Sequence, residues 1–456
     1  MGNKDSLINN MTQGNVVRQL VSFAVPFMLA NLLQTIYSMV DMLVVGQFSG
    51  EVALASVSVG CQVVTFFTML GIGFSSGVQI MIAQYVGGDD LRAISRTVGT
   101  AAVALGAAAI VLGGACIGLA RPLLHLMNAP DASFEAAVAY MRVCGAGMLF
   151  IYGYNVVAAI LRGMGDSKRP LVFIAIAAVV NIALDLILVA ACGLGAVGAA
   201  IATVAGQSIA FLWALYYLYR NRARMGFEFH AGDLRIHGKT LKAMMRLGFP
   251  MALQTAAITL SCMIVNSYIY AFGVTAAAIT GVGQKLTNLV CVIPISISNA
   301  LATLVGQNMA AGKPERVKKL VHTGLFIALA ITITVSVIFL LFPRAVFGLF
   351  NRAPELLEMT PSYMPILVVG FLASAIMGPY YGVVNGIGNA GLSLFIGLMD
   401  GVVARVGLAL LFGIALNFGI RGFWMGDAFA PYVTGILSVA YFISGKWKTY
   451  KLLKDR

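Results

Sequence analysis

The chain has 456 residues, of which 60% are hydrophobic and only 10% charged, with a mean hydropathy of +0.90. An ordinary soluble domain is about 25% charged, so this composition excludes a soluble protein and places the chain among polytopic membrane proteins. The net charge of +13 does not signal nucleic acid, because 23 of the 30 Lys and Arg fall in alternate loops and the two tails, which is a topology signal.

In chain order, twelve apolar stretches read as helices long enough to cross a bilayer. They cover 17–46, 53–84, 96–120, 136–160, 170–191, 196–219, 244–271, 275–306, 319–342, 362–384, 391–415 and 422–444. The apolar runs are continuous rather than alternating, which argues against a β-barrel. The fold class expected is all-α, with twelve transmembrane helices. So little chain remains between the spans that a large soluble catalytic or nucleotide-binding module is excluded. No secretory cleavage site follows the polar N-terminus, so the first span is expected to stay in the protein. The basic breaks lie at Lys4 and Arg18, at Arg92 and Arg96, at Arg162 to Arg169, at Arg220 to Arg246, at Lys313 to Lys319 and from Lys446 onward. By the positive-inside rule both termini and the basic 220–243 connection are expected on the cytoplasmic side of the plasma (inner) membrane.

The chain also repeats itself. Gly163-Met164-Gly165 precedes Gly386-Ile387-Gly388 by 223 residues, and the same offset pairs Gly50 with Gly273, Gly60 with Gly283, Gln84 with Gln307, Asn128 with Asn351 and Tyr140 with Tyr363. Pro26 and Pro250 pair at 224. The expectation is two six-helix bundles, 1–219 and 244–456, joined by the 220–243 linker. Six is even, so the repeats run parallel, and two such bundles lend themselves to alternating access.

Acids at membrane depth are costly and mark function or a partner. Asn31, Gln34, Ser38 and Asp41 follow at i, i+3, i+7 and i+10, one polar stripe on the first span with Tyr37 beside it. Asn181 and Asp185 are i and i+4 on the fifth span, and Thr203 lies near the start of the sixth. Carboxylates, an amide oxygen and a hydroxyl suit a proton relay or a Na⁺ site. The repeat places Leu408 opposite Asp185 and Val265 or Asn266 opposite Asp41, so ion coupling is expected in the first half alone. Asp400 and Arg405, five apart on the eleventh span, are not expected to share a helical face. With Lys285 they form a secondary set of charged positions, and Asp427 is placed near a helix start. The six cysteines read as buried small hydrophobes. The four histidines lack metal spacing. The Gly232 to Thr240 stretch has the wrong spacing for a phosphate loop, so no ATP is expected; the His and Cys spacing predicts no metal cofactor, and the placing of the cations no nucleic acid.

The residues resemble the multidrug and toxic compound extrusion (MATE) family from about Val17 to Ser444. The carriers are Pro26 with Gln34-Thr-Ile-Tyr37-Ser-Met-Val-Asp41 and Val45-Gly46, then Ala83-Gln84 and Gly87. Leu161-Arg162-Gly163-Met164-Gly165-Asp166-Ser167 with Pro170, Asn181-Ile-Ala-Leu-Asp185 and Gly195-Ala-Val-Gly198-Ala-Ala complete the set. The resemblance implies a secondary antiporter that exports bulky, often cationic organic compounds in exchange for H⁺ or Na⁺. It implies a cation site at Asp41, Asn181, Asp185 and Thr203, and a cavity lined by Gln34, Tyr37 and Asn155. The stretches Leu253 to Thr259 and Tyr381 to Asn385 lack the carboxylates of the branch that couples in its second half. Two alternatives compete with this reading, a lipid-linked saccharide flippase and a membrane-embedded lipid-modifying enzyme. Each lacks its expected signature, a cation-lined cavity for the first and clustered Asp, His or metal ligands for the second. The partners expected are small organic substrates and the lipid bilayer, with the protein acting as a monomer.

Overall fold

A computed structural model describes residues 8–127, 129–225, 235–350 and 353–453. The Asn128–Asn351 pair, the outermost tail cations and residues 232–234 of the Gly232 stretch lie outside the described residues.

The described chain is helical throughout its spans. Helix α1 (Val16–Gly87) is followed by α2 (Leu91–Gly118), the short α3 (Ala120–Leu126), α4 (Asp131–Ala146) and α5 (Met148–Gly163). Next come α6 (Lys168–Asp185), continued by a π-helical segment at Leu186–Ala191, and α7 (Gly195–Arg220). The second half has α8 (Gly238–Tyr270), α9 (Val274–Ala310), α10 (Pro314–Leu341), the short α11 (Pro343–Gly348) and α12 (Pro354–Gly386). Helix α13 (Ala390–Leu398) passes through a π-helix at Met399–Val406, then α14 (Gly407–Leu410) and a second π-segment at Leu411–Ala415. Helix α15 (Ile420–Ile443) ends the membrane part.

Ten of these helices are long and apolar enough to span a bilayer by themselves, and α4 with α5, bent by 49°, makes an eleventh span. The twelfth comes from α1. At 72 residues it is far longer than one span needs, and it breaks at Gly50, where φ is 78° and ψ −178°. Only glycine enters that region of backbone space readily. Gly273, its repeat partner, has φ 108° and ψ −179° and separates α8 from α9 in the same way. The all-α, twelve-span architecture is therefore the one the sequence predicts.

The repeat is visible contact by contact. A Cβ on Gly60 would lie 2.9 Å from the Tyr140 ring, and one on Gly283 would overlap the Tyr363 ring. A Cβ on Gly163 would meet the Gln79 carbonyl oxygen at 2.7 Å, and one on Gly386 would meet the Ala302 carbonyl oxygen at 2.6 Å. All four contact pairs are related by the same 223-residue shift. Asp166 Oδ1 accepts the amide of Arg169 at 3.2 Å, and Asn389 Oδ1 accepts the amide of Leu392 at 3.2 Å. Both cap the helix that follows, at repeat-related positions.

Two compact units emerge, and their boundaries do not coincide with 1–219 and 244–456. Unit one comprises Met1–Asn10 and Leu29–Ala252; unit two comprises Met11–Met28 and Leu253–Arg456. Helix α8 starts at Gly238, inside the stretch expected to be linker, and its first turns pack in unit one. There a Cβ on Gly73 would come within 2.6 Å of Ala252 Cα, so only glycine permits the approach. The start of α1 correspondingly belongs to unit two. Leu20, Phe23 and Ala24 pack with Leu301, Leu304 and Leu320, and the Met11 amide donates to Gln307 Oε1 at 2.9 Å. In each half the exchange falls just past the repeat-related proline, Pro26 or Pro250.

Candidate functional site

Asp41 and Asp185 lie in unit one, on α1 and at the end of α6. Asp185 is wholly buried, Asn181 is 2% exposed and Asp41 7%. The two carboxyl groups are within hydrogen-bonding reach of each other. Asn181 Nδ2 donates to Thr203 Oγ1 at 3.5 Å, which is a long, weak bond. The structure thus brings the four expected residues into one buried cluster.

The cluster holds an excess of acceptors. Asp41 Oδ1, both Asp185 oxygens and Asn181 Oδ1 are buried without a protein donor when the acids are ionised. An unpaired polar atom in such a place costs about 1–3 kcal/mol, and more when charged. Two ionised carboxylates cannot hydrogen-bond to each other. A proton between them resolves the contact, and so does a hard cation that takes several oxygens. The donor set fits either.

The expected cavity residues divide. Tyr37 is buried, and its hydroxyl accepts from Gln207 Nε2 at 3.2 Å. Gln34 is exposed, and Asn155 is half-buried with its Nδ2 given to the Ile151 carbonyl at 2.8 Å. Gln207 is a member that sequence reasoning passed over. Its Oε1 is a further buried acceptor without a donor. Lying four residues after Thr203 on α7, it could have been found from the same i, i+4 spacing that joined Asn181 to Asp185.

The secondary charged positions behave differently from expectation. Asp400 and Arg405 are in contact, Oδ1 to Nη2 at 3.0 Å. Five residues would separate them around an α-helix, but this stretch is a π-helix, whose hydrogen bonds run from i to i+5. Asp427 is the eighth residue of α15 rather than a helix-start acid, and it pairs with Arg405 Nη1. Thr434 Oγ1 donates to the remaining Asp400 oxygen at 2.8 Å. Lys285 is exposed and makes no ion pair among the described residues. Of the cysteines, Cys61 and Cys192 are exposed rather than buried, which a protein surrounded by lipid tolerates for so apolar a side chain. Among the described residues no group of three or more His, Cys, Asp and Glu side chains could hold a metal ion.

Comparison with known proteins fixes the family. A family model described as MatE matches residues 26–187 and again 250–411, two segments with the internal offset of the two prolines. The chain is 27% identical over 447 residues to "Probable multidrug resistance protein YpnP" of Bacillus subtilis, covering 98% of this chain and 99% of that protein. It is 25% identical over 443 residues to "Probable multidrug resistance protein NorM" of Thermotoga maritima, covering 96% and 94%. Among solved structures it resembles a Pyrococcus furiosus protein described as a "MOP superfamily transporter", with a TM-score of 0.89, 24% identity and coverage of 98% of this chain and 100% of that one. The family match in both halves, on a twelve-span repeat with a buried acid cluster, shows that this chain belongs to the MatE family of multi-pass membrane transporters and is not an enzyme.

Proposed function

We propose that the protein is a secondary antiporter of the plasma membrane, with both termini cytoplasmic. It exports bulky, often cationic organic compounds and takes up H⁺ or Na⁺ at Asp41, Asn181, Asp185 and Thr203. One observation carries the reading: the four buried acceptor oxygens that no protein donor satisfies. Such a cluster is poor as structural glue and is completed only by an incoming cation. The multidrug names of the relatives support the substrate class.

Coupling requires that ion and substrate shift one equilibrium in opposite directions. Helix α1 offers the means. Pro26 lacks an amide N–H, so the helix bends there at low cost, and the chain changes compact unit between Met28 and Leu29. Neutralising Asp41, on the same helix, alters what holds it against α6 and so its bend. The exported compound then sits against Gln34, Tyr37 and Asn155 in one state only.

The test is dye efflux from vesicles containing the purified protein, with ΔpH and ΔNa⁺ imposed separately. Efflux under one gradient identifies the ion. Efflux unaffected by either gradient in the wild type, or full gradient-driven efflux by both Asp41→Asn and Asp185→Asn, defeats the reading.

A further inference from the structure

Unit two holds a charged cluster that ion coupling at the acid pair does not use. Asp400 and Arg405 come from the π-helical turn after α13, and Asp427 from α15. The three groups differ in how completely they are held. Asp400 has both oxygens engaged, one by Arg405 and one by Thr434. Its side chain is 5% exposed, whereas that of Asp427 is 44% exposed. Asp427 uses Oδ1 toward Arg405, and its other oxygen has no donor among the described residues. Cys262 of α8, Cys291 of α9 and Tyr363 of α12 lie within its electrostatic reach.

The charge count is uneven. Two carboxylates share one guanidinium, leaving the cluster one negative charge in excess, and the open edge of that charge is Asp427. The guanidinium itself is not fully held. Arg405 is 92% buried, being 8% exposed, yet its Nε–H has no acceptor. Arg405 therefore sits in a site that leaves a buried donor unmet, with a secure partner at Asp400 and a partly exposed one at Asp427. A cation arriving at Asp427 need not strip Arg405 of its only partner, because Asp400 retains it. The last helices of the two halves are related by 224 residues, as in the backbone bonds Leu194 to Leu188 and Phe418 to Phe412, so Arg405 and Asp427 match Asn181 and Thr203, an uncharged pair in unit one.

We propose that Asp427 recognises the positive centre of the exported compound, such as a protonated amine or a quaternary onium group, with Arg405 and Asp400 holding its carboxylate in place. The inference rests on the export reading above and adds the residue that selects for charge. Unit one then binds the driving ion with acids that are closed off, and unit two reads the charge of the cargo with an acid that is open.

The experiment uses the full-length protein in detergent and two probes of similar shape, the permanent cation tetraphenylphosphonium and uncharged triphenylphosphine oxide, with binding measured by calorimetry. Asp427→Asn is expected to raise the Kd for the cation about tenfold, since a hydrogen bond to a charged group is worth roughly 1.5–3 kcal/mol and 1.4 kcal/mol is tenfold. The neutral probe should shift by less than about twofold, and Asp427→Glu should keep the preference for the cation. Glu also serves if the Asn variant fails to fold, because a longer carboxylate that reaches the same cation shifts its Kd without erasing the charge preference. Equal weakening of both probes by Asp427→Asn, or unchanged cation affinity, overturns the inference. Neither outcome touches ion coupling, which Asp41→Asn decides separately in the efflux assay.

Discussion

The two units share a scaffold down to individual glycine–tyrosine contacts, yet they treat buried acids in opposite ways. In unit one, Asp41 and Asp185 meet with no cationic side chain between them, and four acceptor oxygens go unsatisfied. In unit two, Asp400 and Asp427 meet around Arg405, a resident cation that never leaves. The difference shows that duplicated helices fix where a polar cluster can sit, while a few side chains decide whether its countercharge is built in or absent. On the function proposed above, an acid pair without an arginine borrows its positive charge from the coupling ion.

The largest effects should come from removing the borrowed charge's host. Asp41→Asn and Asp185→Asn should each reduce gradient-driven efflux to the level of empty vesicles, with melting temperatures near the wild type. A fold that collapses in both variants would make the pair structural and erase the contrast. The opposite signature is expected in unit two. Arg405→Met strands two carboxylates, one of them buried, and breaking such a pair costs about 3–5 kcal/mol. Thermal unfolding in detergent should fall steeply, and adding Asp400→Asn should recover part of the loss. If Arg405→Met melts like the wild type, the resident cation is not holding unit two together.

The shared scaffold can be tested between these extremes. Gly163→Ala and Gly386→Ala each push a methyl group against a backbone carbonyl, which cannot turn aside as a flexible side chain does. Overpacking of this kind costs about 1–3 kcal/mol, and the two losses should match within the error of melting curves. A large disparity would show that the repeat is geometric without being energetic. The smallest effect belongs to Thr203→Val. Among the described residues its hydroxyl has a 3.5 Å contact with Asn181, so the variant should raise the half-saturating concentration of the coupling ion by a few-fold, about 1 kcal/mol or less, in the same efflux assay.

How far these features can be read from the chain follows from their range. Spans rest on apolar runs and the shared face of Asn181 and Asp185 on i, i+4 spacing, which are local, while the parallel repeat rests on matches at one long offset and the meeting of Asp41 with Asp185 is expected only from polar stripes and the family resemblance. The contact of Asp400 with Arg405 is also local but was illegible, because five-residue spacing joins a face only in a π-helix, and no residue in Met399–Val406 announces one. The partnership of Arg405 with Asp427 is a tertiary contact across 22 residues and two helices. The exchange of the first turns of α1 and α8 between units was equally hidden. Pro26 and Pro250 mark where it happens, but their sequence shows a break point and not which neighbours lie beyond it.

That exchange bears on how the protein is made. Residues 11–28 leave the ribosome early, but their hydrogen-bond partners Gln307 and Asn308 lie 296 and 297 residues further along the chain. At a synthesis rate of roughly 5–20 residues per second, the first helix waits about 15–60 s for the wall it will rest against. During that interval its amide at Met11 and its apolar side chains Leu20 and Phe23 have no native surroundings. Unit two cannot close before its last spans are inserted, and a ribosome that stalls after the first six leaves behind a bundle carrying a helical segment that belongs to its neighbour.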